Sequence, residues 1–178
     1  MSEWESFYVI VGSSGGALIG LQFVVITLIA DRRQLAKADS FSAFGTPTVV
    51  HLTGALTLSA IMSSPWPSLF SLSIAVAACA LAGLGYGAVV IRRTRRQTSY
   101  QPVWQDWLWY VWLPCTAYAA LALTAIFLSA DHHIAPFAVA AGALALLLIG
   151  IHNAWDTVTH IVISLGAEET KSDPRRDG

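Results

Sequence analysis

Five apolar runs separated by short polar stretches make up most of the chain, at 7–30, 47–63, 69–91, 106–129 and 134–153. A bilayer core of about 30 Å takes about 20 apolar residues in a helix, with a range of about 17–25. Each run is therefore predicted to be a membrane-spanning helix, and the fifth is expected to continue as helix to about residue 165. Thr46 followed by Pro47 predicts the start of the second helix, a capping hydroxyl and then a proline at the first helical position. The stretches between runs have about sixteen residues or fewer, too few for a folded domain outside the membrane. The pattern predicts an all-α fold, a polytopic membrane helix bundle of five transmembrane helices at 1–165. The charged tail at 166–178 is expected to be disordered.

Composition agrees with the pattern. The chain is 55% hydrophobic and 12% charged, with a mean hydropathy of +0.59, whereas soluble domains carry about 25% charged residues. The net charge of −1 hides where the ten cations lie. Arg32, Arg33 and Lys37 follow the first run, Arg92, Arg93, Arg95 and Arg96 the third, and Lys171, Arg175 and Arg176 the last. Short loops rich in Lys and Arg stay cytoplasmic, so the expected topology is N-out and C-in. Residues 1–6 include Glu3 and Glu5 and no basic residue, so the first run is expected to stay in the mature protein rather than leave as a signal peptide. Tryptophan follows the same division: Trp4 and Trp66 mark the outer face, and Trp104, Trp107, Trp109, Trp112 and Trp155 the inner one. This inner belt reads as an anchor or as a contact for a lipid or quinone headgroup. Arg92, Arg93, Arg95 and Arg96 are placed to attract anionic lipid headgroups, at about 1 kcal/mol per cation. A chain without a basic domain is not expected to bind nucleic acid.

Association of helices in lipid depends on small residues that let backbones approach. Gly12, Gly16 and Gly20 recur at four-residue intervals in the first run, and Ala75, Cys79, Gly83 and Gly87 do so in the third. These stripes are expected to pack helices, either within one subunit or between copies in a homo-oligomer. Pro114 predicts a kink. Gln22, Thr27, Thr53, Thr57, Thr116 and Thr124 are expected to mark interior faces. Cys79 and Cys115, both inside apolar runs, read as small buried thiols.

Ionisable groups within a membrane are costly and are the first place to look for function. His51, His152, Asp156, Asp106 and Gln22 share a depth near the inner boundary and form a candidate polar cluster. His152, Asp156 and His160 follow at four-residue steps on one helix face. The two histidines lie about 12 Å apart along the axis, so one metal cannot hold both. A metal could instead take His152 with Asp156, or Asp156 with His160, and His51 as a third ligand; zinc, copper and iron all accept such donors. A haem between His51 and His152 is also open on residue types. The plainer reading is the wet face of a helix leaving the membrane. Gly12-Ser13-Ser14-Gly15-Gly16 resembles the nucleophile string of rhomboid proteases, but Ser14 lies in the outer half while His51, His152 and His160 lie in the inner half. No P-loop, HExxH or dinucleotide string is present. No catalytic residue is assigned, and enzymatic activity is not the expectation.

Trp4-Glu5-Ser6-Phe7-Tyr8 followed by VIVGSSGGALIGLQFVVITLIADR resembles a group of small uncharacterised bacterial five-span integral membrane proteins. The resemblance is carried by the first span, implies a multi-pass protein of the bacterial inner membrane, and brings no catalytic residues. Three functions stay open: an oligomeric channel- or transporter-like unit that binds a small solute, a metal-, haem- or quinone-binding protein, and a scaffold or modulator of another membrane protein.

Overall fold

The structure is a computed structural model. It describes residues 4–30, 38–96, 103–128 and 134–172, with side chains at 4–28, 46–95, 103–128 and 134–159. Among these residues every element is helical: α1 (Glu5–Ala30), α2 (Ala38–Ser63), α3 (Leu69–Arg96), α4 (Trp104–Trp107), a π-helical segment (Leu108–Trp112), α5 (Leu113–Phe127) and α6 (Ile134–Ser172). The segments α4, π and α5 run on as one rod. Four stretches are long and apolar enough to cross a membrane: Glu5–Leu28, Leu69–Arg95, Trp104–Phe127 and Ile134–Thr159. Their outward faces carry Ile10, Phe23, Leu28, Phe70, Leu81, Ile126 and Phe137, all exposed. So much apolar surface suits a bilayer and would be an aggregation liability in water.

Close contacts define the topology. Gly12 lies against Ser59 and Gly15 against Leu52 and Leu56, so α1 and α2 are antiparallel. Gly54 meets Leu146 and Gly150 meets Leu52, which makes α2 and α6 antiparallel as well. Gly83 receives the Tyr118 ring and Gly87 the Cys115 Sγ, setting α3 against α5. Tyr8 Oη donates to the Pro136 carbonyl at 3.5 Å and Trp4 meets Phe137 edge to face at 4.6 Å, so α1 and α6 start at the same end. Ser68 caps α3, its Oγ accepting the Ser71 backbone N–H at 3.2 Å, and Trp66 Nε1 donates back to the Ile61 carbonyl at 2.6 Å. The result is an up-down bundle. One end of it, the basic end, closes α3 with exposed Arg92, Arg93 and Arg95 and also opens α2 and α4.

Helix α2 packs on α6, α1 and α3. Thr48, His51, Leu52, Ala55, Leu58, Ser59 and Met62 form its buried stripe, spaced at the three- and four-residue steps of one helix face. Its other face, with Thr53, Leu56, Thr57 and Ala60, is exposed. Thr48, His51 and Ser59 on the buried face and Thr53 and Thr57 on the exposed one lower its hydropathy, so it is not among the four apolar stretches above.

Several expectations change. Helix α2 begins at Ala38, so Pro47 lies inside it rather than at its start. Helix α6 persists to Ser172, seven residues beyond the expected limit; residues 173–178 lie outside the described part. The irregularity expected at Pro114 takes the form of the π segment just before it. The Leu113 N–H reaches back five residues to the Leu108 carbonyl, and Pro114 then offers no N–H to continue the ladder. Thr27, Thr53, Thr57 and Thr116 face outward rather than inward. Thr27 and Thr116 bond carbonyls of their own helices, Phe23 at 2.7 Å and Leu113 at 2.9 Å, which satisfies the hydroxyl without any need of an interior.

Candidate functional site

Where α2, α3, α5 and α6 meet, polar side chains are buried in an otherwise apolar core. His51, only 2% exposed, presents its ring to Tyr86 of α3 and Tyr118 of α5, with centroids 6.5 and 6.0 Å away. Neither of its ring nitrogens has a hydrogen-bond partner among the described residues. Asn153 of α6 is fully buried, and both atoms of its amide group are likewise without a partner there. The register set by Gly54 with Leu146 and Gly150 with Leu52 brings Asn153 level with Thr48, one helical turn from His51, or about 4–5 Å along the axis. An unpaired buried polar group costs about 1–3 kcal/mol, so two such residues at neighbouring levels are an expensive arrangement for a core.

Toward the basic end the contacts between α5 and α6 become polar. Tyr110 Oη donates to Asp156 Oδ2 at 3.1 Å, and the Trp109 indole stacks on the His152 ring at 3.5 Å with the planes 7° apart. Both aromatic residues belong to the π segment, whose changed helical register places two consecutive side chains on α6. Segments of this kind recur at functional sites. His152 Nδ1 is also buried without a partner among the described residues.

The remaining sequence candidates are more scattered. Asp106 serves its own helix: its Oδ2 accepts the Val103 backbone N–H at 3.0 Å, the reach-back of a capping box. Gln22 is half-buried and, by the α1–α2 register, stands level with Pro47 and Thr48. His51, His152 and Asp156 do not come together as a metal site; no group of three His, Cys, Asp or Glu residues among the described residues is placed to hold an ion. His152 is engaged with Trp109 and Asp156 with Tyr110 instead. The side chains of His160 and Arg96 lie outside the described residues. Among the glycines, Gly12, Gly83 and Gly87 are in close contact with neighbouring helices, whereas a methyl group at Gly16 or Gly20 would meet nothing within 4 Å.

Asn153 and Tyr110 were not among the sequence candidates, and Trp109 entered only as a member of the inner tryptophan belt. A signal for Asn153 exists: Val139, Leu146 and Asn153 follow at seven-residue spacing, continuing the buried face of α6. No local pattern marks Tyr110 or the stacking of Trp109 on His152, because the π segment that orients both depends on a register shift. A concavity of about 300 Å³ lies at the opposite end, between α5 and α6, lined by Leu123, Phe127, Ile134, Ala135 and Ala138 with Thr124. Thr124 Oγ1 is bonded to the Ala120 carbonyl at 2.8 Å, so the lining is apolar in effect. No known protein family matches the chain, and no curated protein or solved structure is similar to it.

Proposed function

We propose that the chain is a five-span, N-out and C-in protein of a bacterial inner membrane that acts as a channel- or transporter-like unit binding a small solute. The observation that carries this reading is the pair His51 and Asn153, buried and without partners among the described residues. Polar groups at such depth are costly and are retained mainly where they serve a pathway or a site. Helix α2 counts as the fifth span because it packs among apolar helices on three sides and its 26 residues are ample for a crossing. The exposed arginines closing α3 support the inward placement of the basic end. The first-span resemblance supports the bacterial inner membrane.

Gly16 and Gly20, open on the outer side of α1, are the surface through which copies would associate. Small residues there permit close backbone approach. The flux of urea and of glycerol into proteoliposomes, followed by light scattering, tests the solute reading. Entry faster than in protein-free vesicles, and slowed by His51→Phe, is the expected outcome. Rates equal to those of empty vesicles for both solutes would remove it.

A further inference from the structure

We infer that His51 and Asn153 form one hydrogen-bonding site for a compact, uncharged molecule carrying both a donor and an acceptor, of the carboxamide or alcohol type, reached from the basic end. The inference rests on the solute-binding reading above and deepens it.

Three observations define the ligand chemistry. The first is hydrogen-bonding capacity. A neutral imidazole has one donor and one acceptor, and a carboxamide has two donors and an acceptor; at His51 and Asn153 none of these is used by the described residues. A molecule with only donors or only acceptors would leave part of that capacity unmet. The second is charge. The side chains identified around the site, His51, Tyr86, Tyr118, Thr48 and Asn153, include no acid and no Lys or Arg. Arg93 of α3 acts electrostatically on Tyr86 but is itself exposed, so an ion at this site would have no charged side chain among the residues that line it, in a low-dielectric core. The third is direction. On the side away from the basic end the helices are in close contact: a methyl at Gly150 would lie 2.6 Å from Leu52 Cδ2, and one at Gly54 would lie 2.6 Å from Tyr118 Oη. On the other side Asn153 is followed along α6 by Asp156 and Thr157, with Tyr110 Oη on Asp156. The close contacts on one side and the polar groups on the other put the entrance on the basic side.

The test uses the full-length protein in nanodiscs, with ¹⁵N-labelled histidine and acetamide as the probe. Acetate, of the same shape but charged, is the control. Binding to so small a probe is weak, so the titration runs to high millimolar concentrations. Acetamide is expected to shift the His51 ring nitrogens in a saturable way, assigned by their loss in His51→Phe, and acetate is expected to leave them unmoved. In Asn153→Leu the acetamide affinity should fall by about tenfold, the equivalent of one hydrogen bond. The melting temperature should rise in the same variant, because an unpaired amide is removed from the core. If Asn153→Leu fails to fold, Asn153→Ser serves for the affinity measurement.

Absence of any acetamide-dependent shift in the wild-type protein overturns the inference. So does an equal response to acetate, or an unchanged affinity in the Asn153 variant. Urea or glycerol flux without a His51 response defeats the site and leaves the solute reading standing. A His51 response without flux supports the site and defeats transport.

Discussion

At the scale of single residues, glycine decides which helices can touch. Gly83 accommodates the ring of Tyr118, so that even one added carbon there would overlap it, whereas Gly16 has open space around it. Gly83→Ala is therefore expected to destabilise the bundle by about 1–3 kcal/mol through overpacking, and Gly16→Ala to leave the monomer's stability unchanged or slightly higher. Thermal melts of the two variants in detergent compare them directly; equal melting temperatures would show that α3 and α5 do not meet as described. Both glycines are visible in the sequence as members of four-residue stripes. Which of them is in contact was not, because a spacing of four drifts around a helix by about 40° per step. Gly12 therefore faces α2 while Gly16 and Gly20 turn away from it. The Tyr110–Asp156 hydrogen bond belongs to this scale as well. Tyr110→Phe should cost about 0.5–1.5 kcal/mol, read as a lowered melting temperature that Asp156→Asn does not lower further when the two are combined.

Among the elements, α2 and the π segment depart most from what a local pattern announces. Proline after threonine is a sound start signal for a helix, yet α2 continues upstream to Ala38. Proline inside a helix removes one hydrogen bond, a loss that packing on three sides can offset. In the rod formed by α4, π and α5, Pro114 and the π register occur together, and Trp109 rests on His152 as a result. Restoring the missing N–H with Pro114→Ala should let the segment return to α-helical register and withdraw Trp109 from α6. The expected sign is non-additivity: the melting-temperature losses of Pro114→Ala and His152→Ala should sum to more than the loss in the double variant, by a coupling of about 0.5 kcal/mol or more. Strict additivity would separate the proline from the stack.

The whole molecule has its own consequences. Antiparallel contacts from α1 to α2, from α3 to α5 and from α5 to α6 bring alternate helix ends together, so the exposed arginines closing α3 share an end with the tryptophan-rich start of the α4 rod. If that end faces the cytoplasm, alkaline phosphatase fused after residue 178 should be inactive and a fusion after Ser64 active. Strong activity of the C-terminal fusion would reverse the proposed orientation. Association through α1 predicts that Gly16→Leu reduces the detergent-solubilised mass to that of a monomer. An unchanged mass would leave Gly16 facing lipid.

What the sequence determined by itself was whatever depends on the solvent along one dimension. Helical segments long enough for a bilayer, the separation of cations from apolar runs, and the presence of a few polar residues within those runs follow from the free energy of transferring residues into lipid, which each segment feels independently. Tertiary structure decided the matters that require two helices at once. Leu52 against Gly150 sets the register that puts Asn153 one helical turn from the level of His51; Asp156 engages Tyr110 and His152 engages Trp109, with no group of three metal ligands among the described residues; and α2 buries Thr48, His51 and Ser59 against its neighbours. Pairing of this kind depends on shape complementarity between surfaces far apart in the chain, and no pattern local to one helix encodes it.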